Sequence, residues 1–406
     1  MNHRIGLIGL ALVLSIVLPC LAADRGAATG NPMIHADGRY LADGNGQRIV
    51  LKGVNVEGWL QWSGPLWGCG FRSESTLRER LTQLVGADET AKFRAAIYDR
   101  FLTEADIARM AAAGFNVVRV MINHRLLDGD GDSSVSNEAG WAVVDRALDW
   151  CAKHGVYAVL DLHSAPGGQS RMFVVDPDPG ALLWNAPPKR ARTIALWRAI
   201  AQRYRDRAIV AGYDLLGEPQ PPQGPQLVDL YRDIIAAIRE VDTRHLIILE
   251  GSSAARDFSM FSGPLDANEA YSFHLYTWFG DDRRKWLERI SAVAKRDNVP
   301  LWCGEWGENT YPMLKSTRAM FESADYAVYA GWCFWTWKRA PTAFPALLTI
   351  TPSDKWKQVG AWINHPLVSP RPSAADALTA MNEFLAAVDS GALVEDQTVM
   401  DILTGK

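Results

Sequence analysis

The chain has 406 residues, of which 46 are acidic and 42 basic, giving a formal charge of −4; 48% is hydrophobic and 22% charged. That is the balance of an ordinary globular protein, and it excludes a disordered tail, a collagen-like repeat and a polytopic membrane protein. The mildly acidic charge lends no support to nucleic-acid binding, which needs a basic excess.

Residues 1–23 read MNHRIGLIGLALVLSIVLPCLAA. A positive start at Arg4, an apolar run from Ile5 to Leu18 and small residues Ala22 and Ala23 make the layout of a secretory signal peptide. The apolar run is too short for a comfortable membrane span. The expectation is a secreted or periplasmic protein whose residues 24–406 form a single domain, with no membrane span once the signal is removed. Pro19 disfavours a lipid anchor on Cys20. The other cysteines, Cys69, Cys151, Cys303 and Cys333, show no CxxC spacing, which speaks against zinc and favours buried free thiols.

Met33–Tyr40 and Gln47–Val54 flank Asp43-Gly44-Asn45-Gly46, a hairpin signal. Short β-branched runs then alternate with amphipathic helices. The predicted strands are Val50–Val54, Asn116–Ile122, Val156–Leu162, Ile209–Leu216, His245–Glu250, Ala270–His274, Leu301–Gly304 and Gly331–Thr336. The predicted helices include Thr103–Ala113, Glu138–His154, Pro188–Tyr204, Gln226–Val241, Asp281–Arg296 and Lys315–Tyr329. Strands apolar on both faces are buried parallel strands, and eight of them with intervening helices predict a (β/α)8 TIM barrel. Trp62–Phe101 reads as a long insertion after strand one, and Pro370–Lys406 as a tail with one helix, Ala374–Val388.

Active sites of such barrels lie at the C-terminal strand ends. Here strand two carries Arg119, strand three ends in Asp161-Leu162-His163, strand four in Gly217-Glu218, strand six in His274-Leu275-Tyr276, strand seven in Glu305, and strand eight carries Trp332, Trp335 and Trp337. One such residue is unremarkable, since a glutamate after an apolar strand is usually a solvated strand end. The joint pattern is not. Two glutamates facing across a barrel mouth fit glycosidic hydrolysis with retention, which needs two carboxyls ~5–5.5 Å apart, one protonated and one ionised. Arg119 would favour the ionised form of Glu305, Tyr276 would hydrogen-bond it, and His274 would orient Glu218. Trp335 offers a flat platform for a sugar ring.

In motif and order the chain resembles glycoside hydrolase family 5, the cellulase family. The carriers are LKGVNVEGWL (51–60), AAAGFNVVRV (111–120), ALDWCAKHGVYAVLDLHSAPGGQ (147–169), GYDLLGEP (212–219), HLY (274–276), WCGEWGE (302–308) and GWCFWTWK (331–338). The GVN-x-x-GWL start, the insertion after it and LDLH-x-APG-x-Q are similar to the exo-β-1,3-glucanase branch. The resemblance implies a retaining β-glycosidase acting on β-glucans or β-glucosides, with Glu218 as acid/base and Glu305 as nucleophile. It implies supporting roles for Arg119, His163, His274, Tyr276 and Trp335, with Trp337 the other candidate in the last motif. No cofactor or metal is implied. The partner is a carbohydrate substrate, and the sequence leaves oligomeric state open.

Where the family has Asn before the acid/base, this chain has Gly217. Losing one oriented donor costs ~2–4 kcal/mol of transition-state stabilisation. The enzyme is therefore slow, or another side chain supplies the contact, or the vacated space admits a substrate with a different group there; the intact remainder of the motif set favours the last two. A non-catalytic carbohydrate-binding barrel is the alternative that Gly217 raises. A metal-dependent hydrolase would need a His/Asp ligand set, and the chain has no HxH or HExxH spacing. Trp59, Trp62, Trp67 and Trp278 are further candidate platforms, although core packing serves each equally well. Asn55, Glu57, Glu308 and Asn309 are candidate cleft residues.

Overall fold

The computed structural model describes residues 33–129, 136–180, 182–278, 280 and 282–406. The signal segment at residues 1–23 lies outside the described residues. Eight parallel strands close into a barrel: β1 Leu51–Val56, β2 Val117–Asn123, β3 Tyr157–Ser164, β4 Val210–Asp214, β5 Leu246–Glu250, β6 Glu269–Tyr276, β7 Leu301–Gly307 and β8 Gly331–Phe334. The ring closes where β8 pairs with β1, Gly331 opposite Leu51 and Phe334 opposite Val54. The predicted TIM barrel is thus the observed fold.

Helices cover the outside because each presents one apolar stripe. In Glu138–His154, Trp141, Val144, Leu148 and Cys151 are buried, which is helical spacing. The helix Glu104–Ala113 opens with a reciprocal Thr103/Asp106 capping box and stops at Gly114 in the left-handed region, as such signals require. Among the described residues no helix is long and apolar enough to cross a membrane. Cys69, Cys151, Cys303 and Cys333 are buried free thiols.

Below the barrel, His35–Asp37, Tyr40–Ala42 and Arg48–Ile49 form an antiparallel sheet. Its Ile34 and Leu41 pack with Leu51, Val117, Val159, Leu246 and Trp302, so the N-terminal turn-rich segment plugs the end opposite the strand C-termini. Above the barrel, the insertion folds as a helical hairpin, Glu74–Val85 and Ala87–Arg100. Trp67 joins it to the C-terminal helices: its ring lies 6.2 Å from Trp356 and 5.2 Å from Phe384, and its carbonyl accepts the Trp356 indole N–H at 2.7 Å.

Several predicted boundaries move. The helix predicted at Lys315–Tyr329 runs Tyr311–Glu322, because Thr310 caps Met313 N–H and Pro312 sits in the first turn, where its missing donor is harmless. Strand four ends at Asp214 rather than Leu216. The tail holds two helices, Ala374–Ala387 and Gln397–Thr404, with a strand, Val394–Glu395, that pairs with Leu348–Thr349.

Candidate active site

At the C-terminal end of the barrel, Arg119 lies on β2 with no exposed surface. Its guanidinium reaches Asp214 Oδ2 at 2.8 Å, Glu250 Oε1 at 2.8 Å, Glu305 Oε1 at 2.6 Å and Asp161 Oδ2 at 3.1 Å. A planar fork with five donors suits such a crowd of carboxylates. Burial opposes its charge, but Asp161, Asp214, Glu305 and Glu250 hold it firmly protonated. Burial also pushes Asp214 far above the ordinary carboxyl range, despite Arg119.

Glu305 owes its aim to a bulge. Along the β6–β7 ladder Cys303 faces Phe273 and Glu305 faces His274, leaving Gly304 as the extra residue. Such bulges re-aim a side chain. A side chain at Gly304 would overlap the Ser272 hydroxyl, so the bulge needs glycine. The Glu305 carboxylate accepts from Arg119 through Oε1 and from the Tyr276 hydroxyl through Oε2 at 2.8 Å.

Glu218 follows β4 with φ of +51°, a conformation few non-glycine residues hold without help. His274 Nδ1 lies 2.9 Å from Glu218 Oε1 and 3.6 Å from Glu305 Oε2. Burial pushes the Glu218 carboxyl up, but the His274 hydrogen bond and the charges of His274, His163 and Arg119 bring it below its ordinary value. Burial opposes the His274 charge, yet Glu250, Glu305 and Glu218 together hold the imidazole well above its ordinary value. The two groups are joined by one hydrogen bond and titrate as a pair.

Carboxylate oxygens of Glu218 and Glu305 and a ring nitrogen of His274 all lie within 4.8 Å of one another. His274 Nδ1 is hydrogen-bonded to Glu218, and both Glu305 oxygens are engaged by Arg119 and Tyr276. The trio is accordingly a network of protons and charge.

His163 Nδ1 meets Asp161 Oδ2 at 2.8 Å. Burial works against its charge, but Asp161 outweighs that and raises the imidazole to about 9. Trp335 is half-buried at the mouth, edge-on to Tyr276, and its indole N–H donates to Glu57 Oε2 at 2.6 Å. Burial raises Glu57 to about 7. Trp337 is fully buried and donates to Asp106 at 2.9 Å, so Trp335 is the tryptophan of that motif at the cleft.

Not every other candidate lines the cleft. Trp59 is not at the cleft: it is fully buried, its indole N–H donating to the Tyr98 carbonyl at 3.1 Å. Trp62 and Trp67 pack on each other in the core, rings 4.5 Å apart. Trp278 does reach the mouth, stacked on Phe344 and 5.6 Å from Trp335. Glu308 is buried against Thr277 and Thr317. Asn55 is buried too, accepting from Arg119 and donating to the Gly304 carbonyl at 2.9 Å. The room expected at Gly217 is absent, because the His163 ring lies over it. The sequence reading passed over Glu250, although it closes a predicted strand just as the other site residues do.

Residues 82–341 match the family model for cellulase, glycosyl hydrolase family 5. The chain is 35% identical over 296 residues to a β-xylosidase of Phanerodontia chrysosporium, covering 68% of this chain and 61% of that protein. It is 26% identical over 349 residues to a probable glucan 1,3-β-glucosidase A of Emericella nidulans, covering 71% and 85%. It thus spans about three fifths of the length of the β-xylosidase. Its fold is similar to the crystal structure of endogalactoceramidase, with a TM-score of 0.56 at 22% identity over 76% of this chain and 75% of that one. With the family match extending over most of the barrel, the chain belongs to glycosyl hydrolase family 5.

Proposed function

We propose that the protein is a secreted retaining β-glycosidase, with Glu305 as nucleophile and Glu218 as acid/base. The observation that carries this reading is the carboxylate separation. Oxygens of the two glutamates approach within 4.8 Å. Retaining enzymes hold their carboxyls ~5–5.5 Å apart, whereas inverting ones leave ~6.5–9.5 Å for a water molecule.

In this reading a Glu305 oxygen attacks the anomeric carbon while Glu218 protonates the departing glycosidic oxygen. The proton comes from the His274–Glu218 pair, where the acceptor role of Glu218 toward His274 keeps it within one hydrogen bond. Water then attacks the glycosyl–Glu305 ester, giving its proton to Glu218 and releasing Glu305. Arg119 and Tyr276 hold the nucleophile fixed throughout the approach, so little reorganisation is left for the transition state.

For substrate, the names of the relatives point to β-linked glucose or xylose. A donor is needed near the 2-hydroxyl, where the family Asn would stand. His163 fits that duty: its ring covers Gly217, Asp161 holds Nδ1, and Nε2 has no partner among the described residues. A protonated imidazole there supplies an N–H to a sugar hydroxyl. Gly217 then marks a substituted donor and gives the binding-only reading no separate support. The apolar N-terminal segment supports export.

Hydrolysis by the mature chain tests this on laminarin, mixed-linkage β-glucan, xylo-oligosaccharides and aryl β-glycosides, with Glu305→Ala as control. Turnover is expected on at least one, with the first-formed sugar in the β configuration by proton NMR. An α product, or equal turnover by Glu305→Ala, would overturn the assignment.

A further inference from the structure

Glu250, the last residue of β5, is fully buried and is connected to Glu218 once directly and once by way of His274. Its Oε2 accepts the Glu218 backbone N–H at 2.6 Å. That bond lies at the residue whose φ is +51°, so it restrains a main-chain conformation the chain would not otherwise favour. Its Oε1 lies 3.0 Å from His274 Nε2, while His274 Nδ1 meets the Glu218 carboxyl at 2.9 Å. One carboxylate thereby hydrogen-bonds the backbone of Glu218 directly and reaches its side chain through an ion-pair contact with the imidazole. A third arm runs to Arg119 at 2.8 Å, and Arg119 holds Glu305 at 2.6 Å. The two glutamates of the proposed reaction are linked through Glu250 by an unbroken run of charged groups.

We propose that Glu250 is a positioning residue for the acid/base step: it aims Glu218 and keeps the proton of the His274–Glu218 pair within the site. The inference rests on the acid/base reading of Glu218. The charged groups facing Glu250 and His274 are Arg119 from β2, Asp161 from β3, Asp214 from β4, and Glu218 and Glu305. The Tyr276 hydroxyl is turned to Glu305, and Tyr231 donates to the Glu250 carbonyl at 2.9 Å. Among these, Glu250 is the carboxylate beside His274 Nε2. Removing its charge lowers the proton affinity of the pair, so the pair loses its proton at lower pH.

The test uses the dependence on leaving group. A glycoside of dinitrophenol departs without proton help, whereas an alkyl or methoxyphenyl glycoside does not. Glu250→Gln keeps the size of the side chain but removes its charge. On the unactivated glycoside, kcat/KM is expected to fall about 100-fold, and on the dinitrophenyl glycoside less than about 5-fold. The alkaline limb of the unactivated pH profile moves to lower pH. Equal losses on both substrates with an unmoved limb, in a variant whose circular dichroism matches wild type, overturn the inference. If Glu250→Gln does not fold, His274→Gln cuts the side-chain arm alone. The same selective loss is then expected, and a uniform loss overturns the inference. Glu218→Ala is the reference. If it too lacks leaving-group selectivity, the acid/base reading fails; if it is selective and Glu250→Gln is not, only the role of Glu250 fails.

Discussion

The imidazole of His163 occupies the volume that any side chain at Gly217 would need. A Cβ built on Gly217 would sit 2.8 Å from His163 Cε1 and closer still to Nδ1, nearer than real Cβ contacts come. The Gly217 carbonyl is also fixed, accepting from Gln169 Nε2 at 2.6 Å.

Gly217→Asn therefore does not restore a missing donor. It displaces His163 from Asp161 and is expected to lower kcat/KM by about 10-fold or more, in proportion to one misplaced donor. Gly217→Ala should behave alike, because the clash is at Cβ. Steady-state kinetics on the best substrate of the panel decide the matter. A gain with Asn would mean that His163 yields readily and does not serve as the replacement donor.

Stability should fall as pH rises. Burial raises Glu57, Glu74 and Glu269 from 4.5 to about 7 each. A carboxyl with a folded pKa above its unfolded one favours the fold fully below about 4.5, and this contribution is lost as pH rises through about 7. His163 adds the same sign: raised from 6.5 to about 9 by Asp161 against burial, its contribution is present below 6.5 and lost towards 9. The denaturant midpoint is expected to be higher near pH 5 than near pH 8.5. Glu269→Gln, at the start of β6 and away from the mouth, should remove up to about 3 kcal/mol of that decline and leave kcat/KM unchanged. A midpoint that is flat or rises across this range would show these carboxyls to be solvated.

Trp59 and Trp335 should separate in KM. Trp59→Phe removes one of the two donors to the Tyr98 carbonyl, the Arg146 guanidinium remaining, and should cost about 0.5–1.5 kcal/mol of unfolding free energy, with KM unchanged. Trp335→Ala should raise KM by about 10-fold, as a lost stacking platform does, and should also lower stability, because the buried Glu57 carboxyl loses its indole donor. Chemical denaturation and Michaelis kinetics on both variants check the contrast. A KM effect from Trp59→Phe would place that ring nearer the sugar than its burial allows.

The barrel was legible because its strands are buried on both faces and so read as near-continuous apolar runs. The site was legible because a barrel gathers its strand ends at one mouth, bringing Arg119, Glu218, His274 and Glu305 together from positions far apart in sequence. Glu250 met the same strand-end rule and was missed because it belongs to no motif; its role depends on the left-handed backbone at Glu218, which sequence does not reveal. At Gly217 the vacated-space reading falls and the replacement-contact reading stands, because a missing side chain looks like empty space until its neighbour His163 is placed. Trp59 failed because proximity to strand one does not say which way an indole turns; the insertion covers it. The helix at Tyr311–Glu322 began earlier than periodicity suggested because its start is set by Thr310 and Pro312.

The bond between the Trp356 indole and the Trp67 carbonyl spans 289 residues, and Phe384 closes the same aromatic cluster. A chain synthesised from its N-terminus therefore carries Trp62 and Trp67 without their final cover until nearly all of it has been made. Contacts of such long range are slow to form, and uncovered aromatics invite association in the meantime. Assembly of this cluster is thus a late event in biogenesis, and a chain cut short before Phe384 would lack it even with all eight barrel strands present.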